Sequence, residues 1–148
     1  MSLSLAREIA YDAFVTVMEQ KKKPELVLNE LYAEHGDKVK RLDRNFIKEI
    51  LYGSLRWNSK LFWILQNTAK RDLMKSSGEI RAALVLGTYQ IYYMDRVPDR
   101  AAVNESVEYI RKKGQAQACS FVNGILRQIA RRAEYFAKPD KVAKPKAV

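Results

Sequence analysis

A helical repeat of apolar residues near the C-terminus constrains the fold most strongly. From Phe121 onward these residues recur with the i, i+3, i+4, i+7 spacing of a helix with one buried face; they are Phe121, Val122, Ile125, Leu126, Ile129, Ala130 and Ala133. Arg127 and Arg131 lie beside this face, four residues apart. The segment predicts a helix with a core face and a basic strip. That strip could bind phosphate groups, or it could be an ordinary solvated helix face.

The charge balance indicates a polyanionic partner. The chain has 148 residues, enough for one domain with its own core, and carries 27 Lys and Arg against 17 Asp and Glu, a formal charge of +10. RNA, DNA and anionic lipid all fit this charge. No apolar run approaches the roughly 18 residues of a membrane span, and the N-terminus lacks the pattern of a signal peptide. We therefore expect a soluble, cytoplasmic protein that does not associate with a membrane.

The rest of the chain predicts further amphipathic helices. We expect them at about Leu5 to Met18, from Pro24 to about His35, after an N-cap at Asp43, at Asn58 to Thr68, from an S-x-x-E capping box at Ser76 to Met94, and between Pro98 and Gly114. No segment alternates like a strand. The predicted fold class is all-α, a single compact bundle of about seven helices over residues 1–137. Residues 138–148 have the Pro- and Lys-rich composition of a basic linker or tail.

The segment before Met94 is apolar on most sides and is the candidate for the central helix. Gly87 lies in its middle and costs about 1 kcal/mol of helix stability relative to Ala. We infer that a neighbouring backbone passes too close for a Cβ at this position, with Gly124 as a possible counterpart.

Features typical of catalysis are absent from the sequence pattern. Cys119 and His35 are the single cysteine and the single histidine, so neither a disulfide nor a zinc cluster can be built from them. We find no glycine-rich cofactor loop and no nucleophile in a recognisable context. Tyr52 and Arg56, four residues apart, could stack a nucleobase or form a structural cation–π contact. These residues predict a binding domain that is not itself an enzyme.

Four separated blocks resemble the NusB-like domain family. They are Arg7 with Ala10, LDRNFIKEILYGSLRW from Leu42 to Trp57, LGTYQIYYMDRVPDRAAVNESVEYIRK from Leu86 to Lys112, and SFVNGILRQIAR from Ser120 to Arg131. Such domains occur alone, as the bacterial antitermination factor NusB, and at the N-terminus of RsmB/Sun-type rRNA cytosine-C5 methyltransferases. The resemblance implies an all-α RNA-binding domain.

Three details favour the methyltransferase branch. Arg127 stands where the free factor usually has an acidic residue, and the first helix begins with only Arg7 rather than an arginine-rich run. The third detail is that two blocks, YGSLRW with Arg56 and VPDRAAVNESVE, are similar to those of the methyltransferases. The resemblance then implies an accessory domain that docks 16S rRNA for a separate C-terminal catalytic domain. We expect no cofactor in this chain, and S-adenosylmethionine only in that further domain. The alternatives are a free antitermination factor that binds RNA with a ribosomal protein, and a scaffold for an acidic protein.

The candidate RNA contacts are basic residues. The main candidates are on the last helix and lead into the tail; they are Arg127, Arg131 and Arg132. The secondary candidates are Arg7, Arg44, Arg56, Arg111, Lys112 and Lys113. The opposing interpretation is that Arg127 and Arg56 pair with acidic neighbours such as Glu105 and hold helices together.

Overall fold

The structure of the protein is a computed structural model that describes residues 3–135. The predicted tail at 138–148 lies outside these residues, as do the last two residues of the predicted domain. The described chain forms seven α-helices and no strand: α1 Leu5–Gln20, α2 Pro24–His35, α3 Arg41–Arg56, α4 Asn58–Thr68, α5 Gly78–Tyr93, α6 Asp99–Lys112 and α7 Cys119–Tyr135. The all-α fold class and the number of helices are confirmed. None of the described helices is long and apolar enough to cross a membrane.

Two helix starts differ from the prediction. Helix α3 begins at Arg41, and Asp43 lies inside its first turn, where its carboxylate accepts a hydrogen bond from the Lys40 amide at 3.4 Å. Helix α5 is capped by Ser77, whose hydroxyl accepts from the Ile80 amide at 3.1 Å, and not by Ser76. Ser76 instead closes the preceding turn by donating its amide to the Leu73 carbonyl. The preceding turns therefore decide which residue is free to cap each helix.

Helix α5 is the central helix, as predicted. Every residue from Ala82 to Tyr92 is buried, because α1, α3, α4, α6 and α7 all pack around it. The buried Thr88 hydroxyl on α5 is satisfied within the helix, because it donates to the Leu84 carbonyl at 2.7 Å.

Gly87 is tightly surrounded, but by side chains rather than by backbone. A Cβ at Gly87 would lie 2.9 Å from both Leu126 Cδ1 and Ser106 Oγ. At Gly124 a Cβ would have no atom within 4 Å, so the prediction that it is the counterpart of Gly87 is wrong. The absence of a side chain at Gly87 lets α6 and α7 approach the central helix together.

A buried polar network connects α1 to α5 and α6. The Arg7 guanidinium forms an ion pair with Glu105 at 2.8 Å and donates from Nε to Gln90 Oε1 at 2.7 Å. The Gln90 amide donates to the Tyr11 hydroxyl, which shares a hydrogen bond with Ser106, each at 2.8 Å. Because these polar groups satisfy one another, they can be buried, and they fix the position of α1 on the bundle.

Helices α3, α5 and α7 end at the end of the bundle where α6 begins. Trp57, which follows α3, stacks on Tyr93 at the end of α5. Arg132, in the last turn of α7, is close enough to Tyr92 to influence its ionisation. This arrangement gathers basic side chains at what we call the arginine-rich end, which comprises Arg56, Arg96, Arg100, Arg131 and Arg132.

Candidate nucleic-acid interface

A cationic groove lies between α6 and α7. It has a volume of about 470 Å³ and is lined by Asp99, Arg100, Val103, Asn104, Asn123, Arg127, Ala130 and Arg131. Arg100 and Asn104 are four residues apart on α6, and Arg127 and Arg131 are four residues apart on α7, so each pair lies along one helix face. The two helices run in opposite directions, which brings the start of α6 to the end of α7. We call this site the α6/α7 groove.

The α6/α7 groove has a net positive charge. Arg100, Arg127 and Arg131 supply three positive charges and Asp99 supplies one negative charge. Among the side chains that the structure describes, none forms a salt bridge with these three arginines. Arg127 and Arg131 are exposed. A groove of this kind can bind an anion such as phosphate through guanidinium hydrogen bonds.

Glu105 does not neutralise this groove. The alternative interpretation, in which Glu105 pairs with Arg127 or Arg56, is wrong, because both of its carboxylate oxygens accept from other groups. One accepts from the Ser4 amide and the other from Arg7, each at 2.8 Å. The buried ion pair therefore involves Arg7, and the cations of the groove stay at the surface.

The groove continues along the seam between α6 and α7. A neighbouring hollow of about 390 Å³ shares Asn104 and Asn123 with it and reaches Arg111 and Ser120. Asparagine amides both donate and accept hydrogen bonds, so these two residues offer neutral polar contacts between the cationic groove and Arg111, which pairs with Glu108 in the same hollow. The seam has the mixture of cations and amides that nucleic-acid surfaces commonly use.

Arg132 lies on a different side of α7 from Arg131, because consecutive helical residues are about 100° apart. Its guanidinium donates to the Thr68 hydroxyl at 2.7 Å and so connects α7 to the end of α4. Burial raises the pKa of Tyr92, and the Arg132 charge acts in the opposite direction. Arg132 is exposed but is already held by a structural contact, which distinguishes it from Arg127 and Arg131.

Arg7 is not a surface cation. Its residue is only 8% exposed, and its guanidinium is held by Glu105 and Gln90 and lies over the Phe46 ring. An RNA phosphate cannot reach a group in this environment unless α1 moves. We therefore leave Arg7 out of the proposed RNA surface.

The basic run at the end of α6 is largely paired with carboxylates. Arg111 pairs with Glu108 at 3.3 Å within α6. Lys112 pairs with Glu8 at 2.8 Å, and Lys113, the residue after α6, pairs with Asp12 at 2.9 Å; both contacts connect this end of α6 to α1. These side chains help to attach α1, and their positive field is partly cancelled.

The two remaining candidates lie over aromatic rings. The Arg44 guanidinium is 4.5 Å from the centroid of Tyr32, and that of Arg56 is 5.4 Å from the centroid of Trp57. The predicted partner of Arg56 was Tyr52, so the cation–π contact exists but with a different ring. Both arginines are exposed.

Sequence reasoning missed several site residues. Arg100 and Asn104 lie in the VPDRAAVNESVE block at helical spacing, and that spacing could have placed them on one face. Arg71 was also missed; it lies over Phe121, with its guanidinium 3.6 Å from the ring centroid. Arg71 borders a hollow of about 410 Å³ on the α4 side of α7.

A second, apolar groove lies between α1, α4 and the start of α5. Its volume is about 590 Å³, and Phe14, Phe62 and Val85 are among the residues that line it. Three large side chains are exposed along it: Trp63 at 67%, Met74 at 64% and Met18 at 44%. Exposed apolar patches of this kind often mark protein interaction sites.

Comparison with known proteins agrees with this architecture. "Probable ribosomal RNA small subunit methyltransferase B" of Bacillus subtilis (strain 168) is 29% identical over 131 residues, which are 88% of this chain but 29% of that protein. The chain thus spans less than a third of this relative. The structure of T. maritima NusB has a TM-score of 0.77 at 21% identity and matches 88% of this chain and 93% of that one.

A complex of the antitermination factors NusB and NusE with dsRNA contains a chain of the same fold. Its TM-score is 0.77 at 19% identity, and the match covers 86% of this chain and 94% of that one. The NusB family profile matches residues 4–131, which include all the described helices except the last turn of α7. By its sequence and by its fold, the chain belongs to the NusB family.

Proposed function

We propose that this chain is the RNA-binding accessory domain of a small-subunit rRNA cytosine-C5 methyltransferase, and that it docks rRNA for a separate catalytic domain. The α6/α7 groove, with three arginines that pair with no described carboxylate, is the observation that carries this proposal. The methyltransferase relative supports the enzyme context, and the NusB–NusE–dsRNA complex shows that a protein of this fold binds RNA.

The cofactor belongs, in this proposal, to the separate catalytic domain. S-adenosylmethionine carries a sulfonium and an ammonium against one carboxylate, so its net charge is positive. The α6/α7 groove is also net positive and would repel it. We expect calorimetry to detect no stoichiometric binding of S-adenosylmethionine to this chain; stoichiometric micromolar binding would contradict that assignment.

The groove can be tested by removing charge from α7. In Arg127→Gln/Arg131→Gln both exposed guanidinium groups are lost. If each contacts one phosphate, the slope of log K against log salt should become shallower by about 1.4 for single-stranded RNA or 1.8 for a duplex. Binding should weaken similarly for all RNA sequences, because phosphate contacts carry no base information. The measurement is an RNA titration at several salt concentrations.

A matched control removes the same charge elsewhere. Arg41→Gln/Lys48→Gln also deletes two exposed cations, on α3, which packs on α1 and α5. Both double variants should keep the wild-type melting temperature, since exposed substitutions usually change stability by no more than about 0.5 kcal/mol. Equal loss of RNA binding in both variants would mean that only net charge matters. Unchanged binding in Arg127→Gln/Arg131→Gln would exclude the α6/α7 groove as the RNA site.

The apolar groove supports a second candidate function. A free antitermination-type factor needs a protein partner in addition to RNA, and exposed Trp63 and Met74 are suitable for apolar contact with one. Calorimetric titration with the NusE protein tests this candidate. Saturable binding that is lost in Trp63→Asp and kept in Arg127→Gln/Arg131→Gln would favour the free factor over the accessory domain.

A further inference from the structure

Three aromatic rings follow one another at the arginine-rich end, where α3 and α5 terminate. The ring centroids of Tyr89 and Tyr93 are 5.2 Å apart and the rings are tilted by 35°, whereas Tyr93 and Trp57 are stacked, with centroids 6.0 Å apart and an interplanar angle of 17°. The Arg56 guanidinium lies 5.4 Å from the Trp57 centroid and completes the series. We call these four side chains the aromatic stack.

The aromatic stack runs from the interior to the surface. Tyr89 is 8% exposed, Tyr93 and Trp57 are half-buried, and Arg56 is exposed. The buried end is fixed by Gly53, because a Cβ there would overlap the Tyr89 ring. The Tyr89 ring therefore packs directly on the α3 backbone, and Tyr93 and Trp57 continue from it to Arg56 at the surface.

Arg56 contributes both a flat surface and a positive charge. Among the side chains that the structure describes, no carboxylate forms a salt bridge with it. Arg96, in the connection that follows Tyr93, is also exposed at this end of the bundle. A planar guanidinium can stack on another π system while its N–H groups bind phosphate oxygens.

We propose that the exposed Arg56 guanidinium, which lies over Trp57, is a stacking site for an unpaired nucleobase of single-stranded RNA. This inference rests on the proposed function, that the chain binds RNA, and it specifies the form of RNA that is bound. Every nucleobase has a π face, so stacking tolerates sequence, but the faces of paired bases inside a duplex are already occupied. The site therefore distinguishes single strands from duplexes rather than one base from another.

The first test removes the planar guanidinium group of Arg56 and keeps its positive charge. Arg56→Lys retains the cation but loses the flat guanidinium. For an unstructured RNA of about ten nucleotides, we expect binding about tenfold weaker than wild type with an unchanged salt slope. Duplex binding should not change. Arg41→Lys, an exposed position at the start of the same helix, is the matched control and should bind both RNAs like wild type.

The second test uses tryptophan fluorescence, because the chain has two tryptophans in different surroundings. Trp57 belongs to the aromatic stack and Trp63 lies in the apolar groove. In Trp63→Phe the remaining emission comes from Trp57, and the unstructured RNA should quench it. In Trp57→Phe the remaining emission comes from Trp63, and its intensity should not change when the RNA is added. Circular dichroism checks that each variant is folded.

The outcomes separate this inference from the proposed function. Wild-type affinity in Arg56→Lys, or the absence of quenching in Trp63→Phe, would overturn the stacking site. If Arg127→Gln/Arg131→Gln still flattened the salt dependence in that case, RNA binding at the α6/α7 groove would stand. If the wild-type chain bound no RNA at any salt concentration, both proposals would be overturned.

Discussion

Neutralising Glu105 should destabilise the protein far more than the same change one helical turn away. Glu105→Gln keeps the size of the side chain but removes the negative charge that faces Arg7. The two side chains are 12% and 10% exposed and lie 2.8 Å apart. The substitution therefore leaves a buried guanidinium without a carboxylate, although Gln90 still accepts from its Nε atom.

The magnitude follows from the burial of the pair. Breaking one side of a buried ion pair costs about 3 to 5 kcal/mol, and slight exposure here favours the lower value, about 3 kcal/mol. The Ser4 amide also donates to Glu105 at 2.8 Å, and the amide of glutamine cannot accept from both donors as the carboxylate does. A loss of about 3 kcal/mol is a large part of a typical stability of about 5 to 15 kcal/mol. It corresponds to a melting temperature lower by about 6 to 12 °C.

The assay is urea unfolding followed by circular dichroism, with Glu108→Gln as the control. Glu108 pairs with Arg111 at the surface, where those side chains are 29% and 54% exposed, so we expect a loss of about 0.5 kcal/mol or less. The midpoint of Glu105→Gln should fall while its m-value stays constant. Replacing both partners, in Arg7→Met/Glu105→Leu, should recover most of the loss. Equal stability of Glu105→Gln and Glu108→Gln would refute the reasoning.

Further predictions concern helical glycines and a buried tyrosine. Gly53→Ala should lower the free energy of unfolding by about 1 to 3 kcal/mol in urea unfolding, because the new methyl overlaps the Tyr89 ring. Gly124→Ala has open space around its Cβ and should raise the free energy of unfolding by up to about 1 kcal/mol. The reverse order of the two variants would contradict the packing. Burial, and the hydrogen bond that Tyr109 donates to Asp12 at 2.6 Å, raise the pKa of Tyr109 well above its ordinary value of 10.0. Above pH 10 the unfolded chain therefore loses a proton from Tyr109 that the folded protein keeps, so the free energy of unfolding should fall as pH rises. The fall should be less steep in Tyr109→Phe. The measurement is urea unfolding at several pH values, and parallel profiles for the two proteins would count against this.

The positions of the helices could be predicted from the sequence because helix formation depends on local spacing. The repeat from Phe121 correctly predicts α7, and the predicted helix at Asn58–Thr68 has the same first and last residues as α4. The apolar character of the segment before Met94 correctly indicated the central helix. Cap residues were less accurate, as Ser76 and Asp43 show, because several polar residues compete for each helix start and the preceding turn selects one of them.

The roles of the individual arginines were decided by the tertiary structure. Arg7 and Arg127 are both helical arginines beside an apolar stripe, yet one is buried and the other is exposed. The difference depends on Glu105, which is 98 residues from Arg7 and reaches it only when α1 packs on α6. Likewise, Arg56 lies over Trp57, whose ring is held by Tyr93 of α5, rather than over Tyr52, its neighbour in helical spacing. Periodicity is a property of one helix, whereas an ion pair or a ring stack between helices requires their relative position, which packing around α5 determines.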